Sequence, residues 1–357
     1  MNSTDIPFRP ADFTQQLLAW YGKSGRDLPW RNTRDPYRIW LSEIMLQQTT
    51  VTAVIGYYQR FLEKIPTVEA LAASPLEEVI DLWAGLGYYS RARNLHAAAK
   101  MVVQQHQGQF PDDAESLQQL PGVGRSTAGA ISSLAFDRSA PILDGNVRRV
   151  LCRLFALQEP PRSKGADKQL WQWSEQLTPV DQVHDYTQAI MDLGAIICLP
   201  RKPLCDQCPV LELCQAHKLG IEQTLPLKAK TKKIPTRSEV ALLINHHGRY
   251  LVRRRIATGF LGGMWEFPTI HLAADEDPMK KLSILLSDFS LNGAAEPVGN
   301  IQHIYSHFRL KSYAFRKKVE DFPQVSAGDN HWFSVDELKS IALHGAHKKV
   351  LQMLTGA

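Results

Sequence analysis

Residues 117–131 read LQQLPGVGRSTAGAI, and a little further on residues 143–151 read LDGNVRRVL. Pro121 ends one helix, because proline cannot continue it, and Gly122 and Gly124 allow a tight turn with the backbone left bare. A second helix then starts near Arg125 with its first N–H groups unsatisfied and facing outward. A helix N-terminus of this kind accepts an anion and positions a phosphate without reading a base. Taken alone, a glycine turn between two helices is ordinary punctuation. Followed so closely by LDGNVRRVL, it reads as a helix–hairpin–helix.

Outward from this segment, apolar residues recur at helical spacing in 38–62, 76–105, 126–136 and 146–157. Starts fall at Asp112 and at Ser74-Pro75, and stops at Gly or Pro. Residues 8–220 are therefore expected to be mostly helical. The texture changes in LPLKAKTKKIPTR (225–237), a lysine-rich stretch with a proline near each end, which has the composition of a linker. Beyond it, VALLI (240–244), a His-His-Gly-Arg turn and YLV (250–252) read as a hairpin, 301–319 as a further strand, and 336–355 as closing helices. The expected plan is multidomain. A mainly α-helical region spans 1–225, with a six-helix part over about 30–136 and a second part joining 1–29 to 137–225. A linker covers 226–235, and a smaller α+β domain covers 236–357.

Two carboxylates stand out. Asp144 sits where a helix N-cap belongs, and a capping Asp can stay ionised while facing a cavity. Glu43 lies in RIWLSEIMLQQT (38–49), with Trp40 and Leu46 three residues to either side and Ile39 one turn back. A helical Glu is usually solvated, but this helix is apolar nearly all round. Its carboxyl should have a raised pKa and act as a proton donor near neutral pH. A proton donor beside a persistent carboxylate is the equipment for cleaving a glycosidic bond through an oxocarbenium-like state. On a nucleotide, the donor would protonate the leaving base after that base had rotated out of the stack.

Four of the five cysteines, Cys198, Cys205, Cys208 and Cys214, are spaced C-x6-C-x2-C-x5-C. Clustered thiols in a chain without a secretory signal point to metal rather than disulfide. Zinc accepts four thiolates, but zinc ribbons usually set two Cys-x2-Cys pairs on separate turns, and only one such pair exists here. The unequal loops suit an iron–sulfur cubane better. The loop LPRKPL (199–204) would then hold Arg201 and Lys202 at its tip, ready for phosphate. Cys152, inside the apolar helix VRRVLCRLF, is core.

The chain has 357 residues, 44% of them hydrophobic, enough for more than one core. No apolar run approaches the roughly 20 residues of a membrane span. Asp5 and Asp12 near the N-terminus, with no apolar segment between, fit neither a signal nor a transit peptide, so cytoplasmic residence is expected. Residues 1–225 hold 22 Lys and Arg against 24 Asp and Glu, and residues 226–357 hold 19 against 12, so the net +5 sits in the last third. A basic excess favours a polyanionic partner.

SEIMLQQT around Glu43, the LPGVG hairpin, LDGNVRR and the cysteine spacing together resemble the endonuclease III superfamily of helix–hairpin–helix DNA glycosylases, within it the MutY-type, adenine-specific branch. The similarity runs from about residue 15 to 350. It implies removal of adenine mispaired with 8-oxoguanine or guanine in double-stranded DNA, a [4Fe-4S] cluster on the four cysteines, and a monomeric enzyme. By this resemblance Glu43 protonates adenine N7 and later activates water, Asp144 stabilises the sugar cation, and Asn146 supports the site. Trp30, Arg31 and Gln188 line the adenine pocket, while Gln48, Thr49 and Tyr88 contact or enter the duplex. The bifunctional relatives carry a lysine where this chain has Ser126, and a hydroxyl forms no imine, so an abasic site without strand cleavage is expected. Arg148 stands where some relatives have a lysine able to trap the abasic sugar.

The C-terminal domain resembles the Nudix fold, with GGMWEFP (262–268) at the start of its signature. TIHLAADEDPMKKLSILLSDFSLN (269–292) has no helix bearing the acidic pairs that hold Mg²⁺, and Asp275, Glu276 and Asp277 read as a solvated loop. The domain is expected to bind rather than hydrolyse, inspecting 8-oxoguanine through Tyr305, Ser306 and His307. Two other readings compete: a pyrimidine glycosylase with lyase activity, opposed by Ser126 and the extra domain, and a non-catalytic DNA-binding iron–sulfur protein, opposed by the retention of Glu43 and Asp144.

Overall fold

The computed structural model describes residues 6–228, 234–256, 259–305, 307–323 and 330–355. The chain forms two compact units, one of residues 1–74 with 93–230, the other of residues 75–92 with 231–357. None of the described helices is long and apolar enough to cross a membrane.

In chain order the helices up to residue 228 are α1 Pro10–Ser24, α2 Pro36–Leu46, α3 Val51–Lys64, α4 Val68–Ala73, α5 Leu76–Leu82, α6 Ser90–His106, α7 Ala114–Leu117, α8 Arg125–Phe136, α9 Gly145–Leu154, α10 Lys164–Leu177, α11 Val183–Asp192 and α12 Gln215–Lys218. The apolar pattern over 38–62 is not one helix. It breaks after Leu46, where Gln48 takes a left-handed φ of 59°. The pattern over 76–105 breaks likewise between Leu82 and Ser90, around Gly85, Gly87 and Tyr88, all at positive φ. Periodicity survives such a break, because a short tight turn can return the chain to the same apolar face. The cap before α7 is Asp113, whose carboxylate accepts from Ser116 N–H at 2.8 Å, while Asp112 pairs with Arg138.

Helix α8 lies at the centre of its unit. Gly129 on it touches the chain at Pro141 so closely that a Cβ there would fall 2.4 Å from the Pro141 carbonyl oxygen. Ser174 of α10 donates to Ile142 O at 2.7 Å. These two contacts hold the segment leading into Asp144 against α8 and α10. Phe13, Leu17, Trp40, Leu41, Val54, Phe61 and Leu170 are fully buried, each worth about 1.5–3 kcal/mol of transfer free energy.

The other unit is built on a mixed sheet of β1 Thr236–His246, β2 Arg249–Arg254, β3 Trp265–Glu266, β4 Thr269–Leu272, β5 Glu296–Ile304, β6 Arg309–Lys318 and β7 Asn330–Ser334. Its main order is β3-β2-β1-β6-β5, with β4 also pairing β1 and β7 pairing β2. Among the described strand pairings β1–β6 is parallel, running from Thr236↔Arg309 to Asn245↔Lys318, and the others are antiparallel. The stretch 301–319 is thus part of a hairpin, β5 and β6 antiparallel around residues 305–308. Helices α13 Pro278–Asp288, α14 Val335–Ser340 and α15 Gly345–Thr355 accompany the sheet. Leu282, Leu285 and Leu286 of α13 pack on Val240, Leu242, Ile244, Leu251 and Phe315. A helix does follow the GGMWEFP segment, with Asp277 as its cap rather than part of a solvated loop. Its face carries Lys280 and Lys281 and no paired carboxylates. The lysine run of the linker, residues 229–233, and Ser306 lie outside the described residues.

Candidate active site

Three segments converge on a cavity of about 460 Å³ in the helical unit: residues 26–51, the start of α8 with the segment into α9, and α11. Its walls include Trp30, Arg31, Glu43, Thr49, Ser126, Asp144, Asn146 and Gln188. Eight residues singled out from the sequence are therefore brought together, in a volume typical of small-ligand pockets.

Glu43 reaches this cavity from α2, between Ser42 and Ile44, both buried. Burial pushes its carboxyl up to about 7, the charge of nearby Asp144 adds to the rise, and Arg31 opposes it. Asp144 caps α9, accepting from Val147 N–H at 2.7 Å. Burial raises its carboxyl too, and the backbone N–H groups of Val147 and Asn146, then Arg149 and Arg148, work against that rise. The two carboxyls thus sit in different surroundings. Among the described residues no amide hydrogen-bonds Glu43, whereas Asp144 has a helix start and two guanidinium groups.

Trp30 is 7% exposed and meets Tyr58 edge to face at 5.4 Å. Gln188 is buried, not a surface residue. Its Oε1 accepts from Tyr21 O–H at 2.8 Å, and its Nε2 lies 2.9 and 3.4 Å from the two ring nitrogens of His184. With its oxygen on the Tyr21 hydroxyl and its nitrogen against the His184 imidazole, Gln188 is held between two rings. Arg31 forms a bidentate pair with fully buried Asp192, donating from Nη1 to Oδ2 at 2.7 Å. Asp192 also accepts from Arg26 N–H at 3.0 Å and from Arg26 Nε at 2.8 Å. Burial alone would raise the Asp192 carboxyl, but Arg31 and Arg26 together hold it below the usual range.

Ser126, in the first turn of α8, accepts from Leu143 N–H at 2.9 Å and so pins the residue before Asp144. Arg148 pairs with Asp167 at 2.7 Å and donates to Pro161 O at 2.7 Å. At the hairpin, Gly122 has φ 81°, and a Cβ there would fall 2.8 Å from Asn94 Cβ, so only glycine fits. Gly124 caps α8 without a side-chain hydrogen bond. Gln47, which drew no attention in the sequence, donates to Gly122 O at 3.4 Å and Thr127 Oγ1 at 3.3 Å, tying the end of α2 to the hairpin. Gln48 next to it is exposed. Tyr88, 43% exposed at φ 50°, lies within residues 75–92.

The four cysteine thiols surround a second, small cavity of about 30 Å³, walled by Val150, Leu154, Leu193, Ile197, Val210 and Leu211. Among the described residues no three His, Cys, Asp or Glu side chains are grouped so as to hold a single metal ion. Burial raises the Cys208 thiol to about 12 and also lifts Cys205 and Cys214, with neighbouring thiolates adding to each rise. An all-thiol set around a common void fits an iron–sulfur cluster. Arg153, 2% exposed, donates to Cys198 Sγ at 3.2 Å and to Leu199 O at 2.7 Å. Arg149 joins the two sites. It donates to Asn146 Oδ1 at 2.9 Å, Gly194 O at 2.6 Å and Cys198 O at 2.7 Å. Gly194 permits this approach, since a Cβ there would lie 2.6 Å from Asn146 Cβ. Arg201 and Lys202 are both exposed in the loop between the first two cysteines, Lys202 at φ 49°.

Residues 41–176 match the HhH-GPD superfamily of base excision DNA repair proteins, 198–214 the iron–sulfur binding domain of endonuclease III, and 239–353 the NUDIX domain. Over 400 residues the chain is 36% identical to adenine DNA glycosylase of Mus musculus, covering 96% of this chain and 77% of that protein. Adenine DNA glycosylase of Buchnera aphidicola subsp. Schizaphis graminum is 33% identical, covering 96% and 98%. The chain belongs to the adenine DNA glycosylase family. Among solved structures, a thermostable thymine-DNA glycosylase superposes with a TM-score of 0.54 at 32% identity, covering 59% of this chain and 97% of that one. A non-covalent endonuclease III–DNA complex superposes with a TM-score of 0.50 at 26% identity, covering 60% and 99%. As a member of this family the chain carries an iron–sulfur cluster.

In the C-terminal unit Tyr305 packs inward. Its hydroxyl meets His344 Nδ1 at 3.1 Å and accepts from Ala346 N–H at 3.3 Å, while His307 is exposed. Glu266 of the Nudix-like segment is 4% exposed and paired with Arg253 and Arg255, which leaves it engaged rather than open to a metal.

Proposed function

We infer that this chain hydrolyses the N-glycosidic bond of adenine in DNA, as its family does, and that its substrate is adenine opposite 8-oxoguanine or guanine in a duplex. The observation that carries the chemistry is Glu43, its carboxyl raised to about 7 by burial and nearby Asp144, in a cavity of about 460 Å³. Near neutral pH a large share of Glu43 is protonated, which suits it to donate to adenine N7 as the bond to the sugar stretches. Once deprotonated, the same carboxylate can activate water. Asp144, held by backbone N–H groups and flanked by Arg148 and Arg149, is placed to steady the positive sugar. Asn146, its Oδ1 held by Arg149, supports that arrangement.

Trp30, Arg31 and Gln188 are assigned to the flipped base. The clamps on Gln188 and Arg31 favour this role, because groups fixed in advance lose little freedom on binding. Gly122, Gly124, Gln48, Thr49, Tyr88, Arg201 and Lys202 are assigned to the duplex, and Tyr305, Ser306 and His307 to the base opposite. Cys198, Cys205, Cys208 and Cys214 are assigned as the cluster ligands. The cluster supplies a rigid frame for the basic loop and no step of the hydrolysis. Ser126 forms no imine, which supports a monofunctional enzyme that leaves an abasic site. We take the enzyme to act as a monomer in the cytoplasm. Incubating the protein with a duplex holding adenine opposite 8-oxoguanine tests the reading, and release of free adenine is the expected result.

A further inference from the structure

The C-terminal unit contains a polar cluster for which hydrolysis offers no use. His344 is 2% exposed and His347 fully buried, their rings 3.9 Å apart. Phe267 N–H donates to His347 Nδ1 at 2.9 Å, so the other ring nitrogen carries the proton and faces Glu239 Oε1 at 3.3 Å. Ala346 N–H donates to the Tyr305 oxygen at 3.3 Å, so the Tyr305 proton goes to His344 Nδ1 at 3.1 Å. His344 Nε2 then carries the proton and lies 3.9 Å from Glu266 Oε2, beyond direct hydrogen-bond distance. Burial keeps both imidazoles neutral, lowering His347 to about 3 and His344 well below its ordinary value.

Further contacts hold this cluster at both ends. At the inner end Glu266 is held by Arg253 and Arg255, and His344 N–H donates to Trp265 O at 3.2 Å. At the outer end Tyr305 N–H donates to Phe308 O at 2.9 Å, closing the β5–β6 turn, and the Tyr305 ring packs edge to face on Phe260 at 5.1 Å. Glu266 is thus engaged by two guanidinium groups beside His344.

We propose that His344 is a positioning residue that sets the turn at Tyr305 through the tyrosine hydroxyl, and thereby sets the preference for 8-oxoguanine over guanine opposite adenine. The proposal rests on the reading that residues 305–307 meet the opposite base. Single-turnover rates on the two duplexes, taken as a ratio, test it. Tyr305→Phe and His344→Leu should each lower the ratio about fivefold to tenfold, the worth of one buried hydrogen bond. His344→Asn, which keeps an acceptor near the Nδ1 position, should restore most of it. An unchanged ratio in Tyr305→Phe, or both rates falling in equal proportion, overturns the proposal. Ser306→Ala separates the two levels. If Ser306→Ala collapses the ratio while Tyr305→Phe leaves it intact, His344 does not position the turn. If neither changes it, the assignment of residues 305–307 to the opposite base fails. Should His344→Leu not fold, Tyr305→Phe alone decides.

Discussion

At the residue scale, Glu43 has the clearest consequences. Glu43→Gln keeps the shape and removes the proton, so single-turnover hydrolysis should fall at least ~10²–10⁴-fold while duplex affinity stays near normal. A turnover close to wild type would remove Glu43 from the chemistry. With its carboxyl raised to about 7, the protonated fraction, and with it the rate, should decline as pH rises above that value, approaching tenfold per unit. A flat profile above neutrality would contradict the assignment. The same shift sets a stability trend. An acid whose folded pKa lies above its ordinary value stabilises the fold fully below the ordinary value and loses that contribution as pH rises to the folded one. Glu43→Gln should therefore melt higher than wild type near pH 8, by up to ~3 kcal/mol, and the two should converge near pH ~4. The apolar surroundings of Glu43 were legible in its helix, and so was the capping place of Asp144. The clamps were not. Asp192 meets Arg31, and Tyr21 meets Gln188, across most of the helical unit's sequence, and no local pattern announces such a partner.

At the scale of elements, α9 and the segment after α11 press together at Gly194, and Arg149 bridges them. Gly194→Ala would force its Cβ against Asn146 and shift α9, so activity should drop by an order of magnitude or more for a stability loss of about 1–3 kcal/mol. Thermal melting beside single-turnover rates would separate the two effects. Equal activity in Gly194→Ala would mean that the fit at Asn146 is looser than the contacts indicate. The helical pattern, the hairpin and the cysteine loop were readable because each is local. The breaks at 47–50 and 83–89 were not, since the apolar face continues across a turn shorter than the helical period can register. The β5–β6 hairpin was merged into one strand for a related reason. The two residues that bound its turn, Tyr305 and Phe308, are packed aromatics, and the sequence between them holds no Gly, Asn or Asp.

At the scale of the whole molecule, nucleic-acid affinity should depend steeply on salt, because phosphate contacts release counterions. Replacing Arg201 and Lys202 together by alanine should lower the slope of log affinity against log salt by about 2. An unchanged slope would take the cysteine loop off the DNA. Cys208→Ser should lose iron and, with it, the order of that loop, a loss that iron analysis and duplex binding would report together. The contrast between a helical part and an α+β part was legible in the hydrophobic pattern, whereas contact groups residues 75–92 with 231–357, which no feature of their sequence indicates. The central claim is that the chain removes adenine and leaves the strand whole. Its most direct test is a labelled duplex with adenine opposite 8-oxoguanine, resolved on a denaturing gel before and after alkali. An intact strand that breaks at the adenine position only after alkali is the expected result. Breakage without alkali, or no breakage at all, would contradict it.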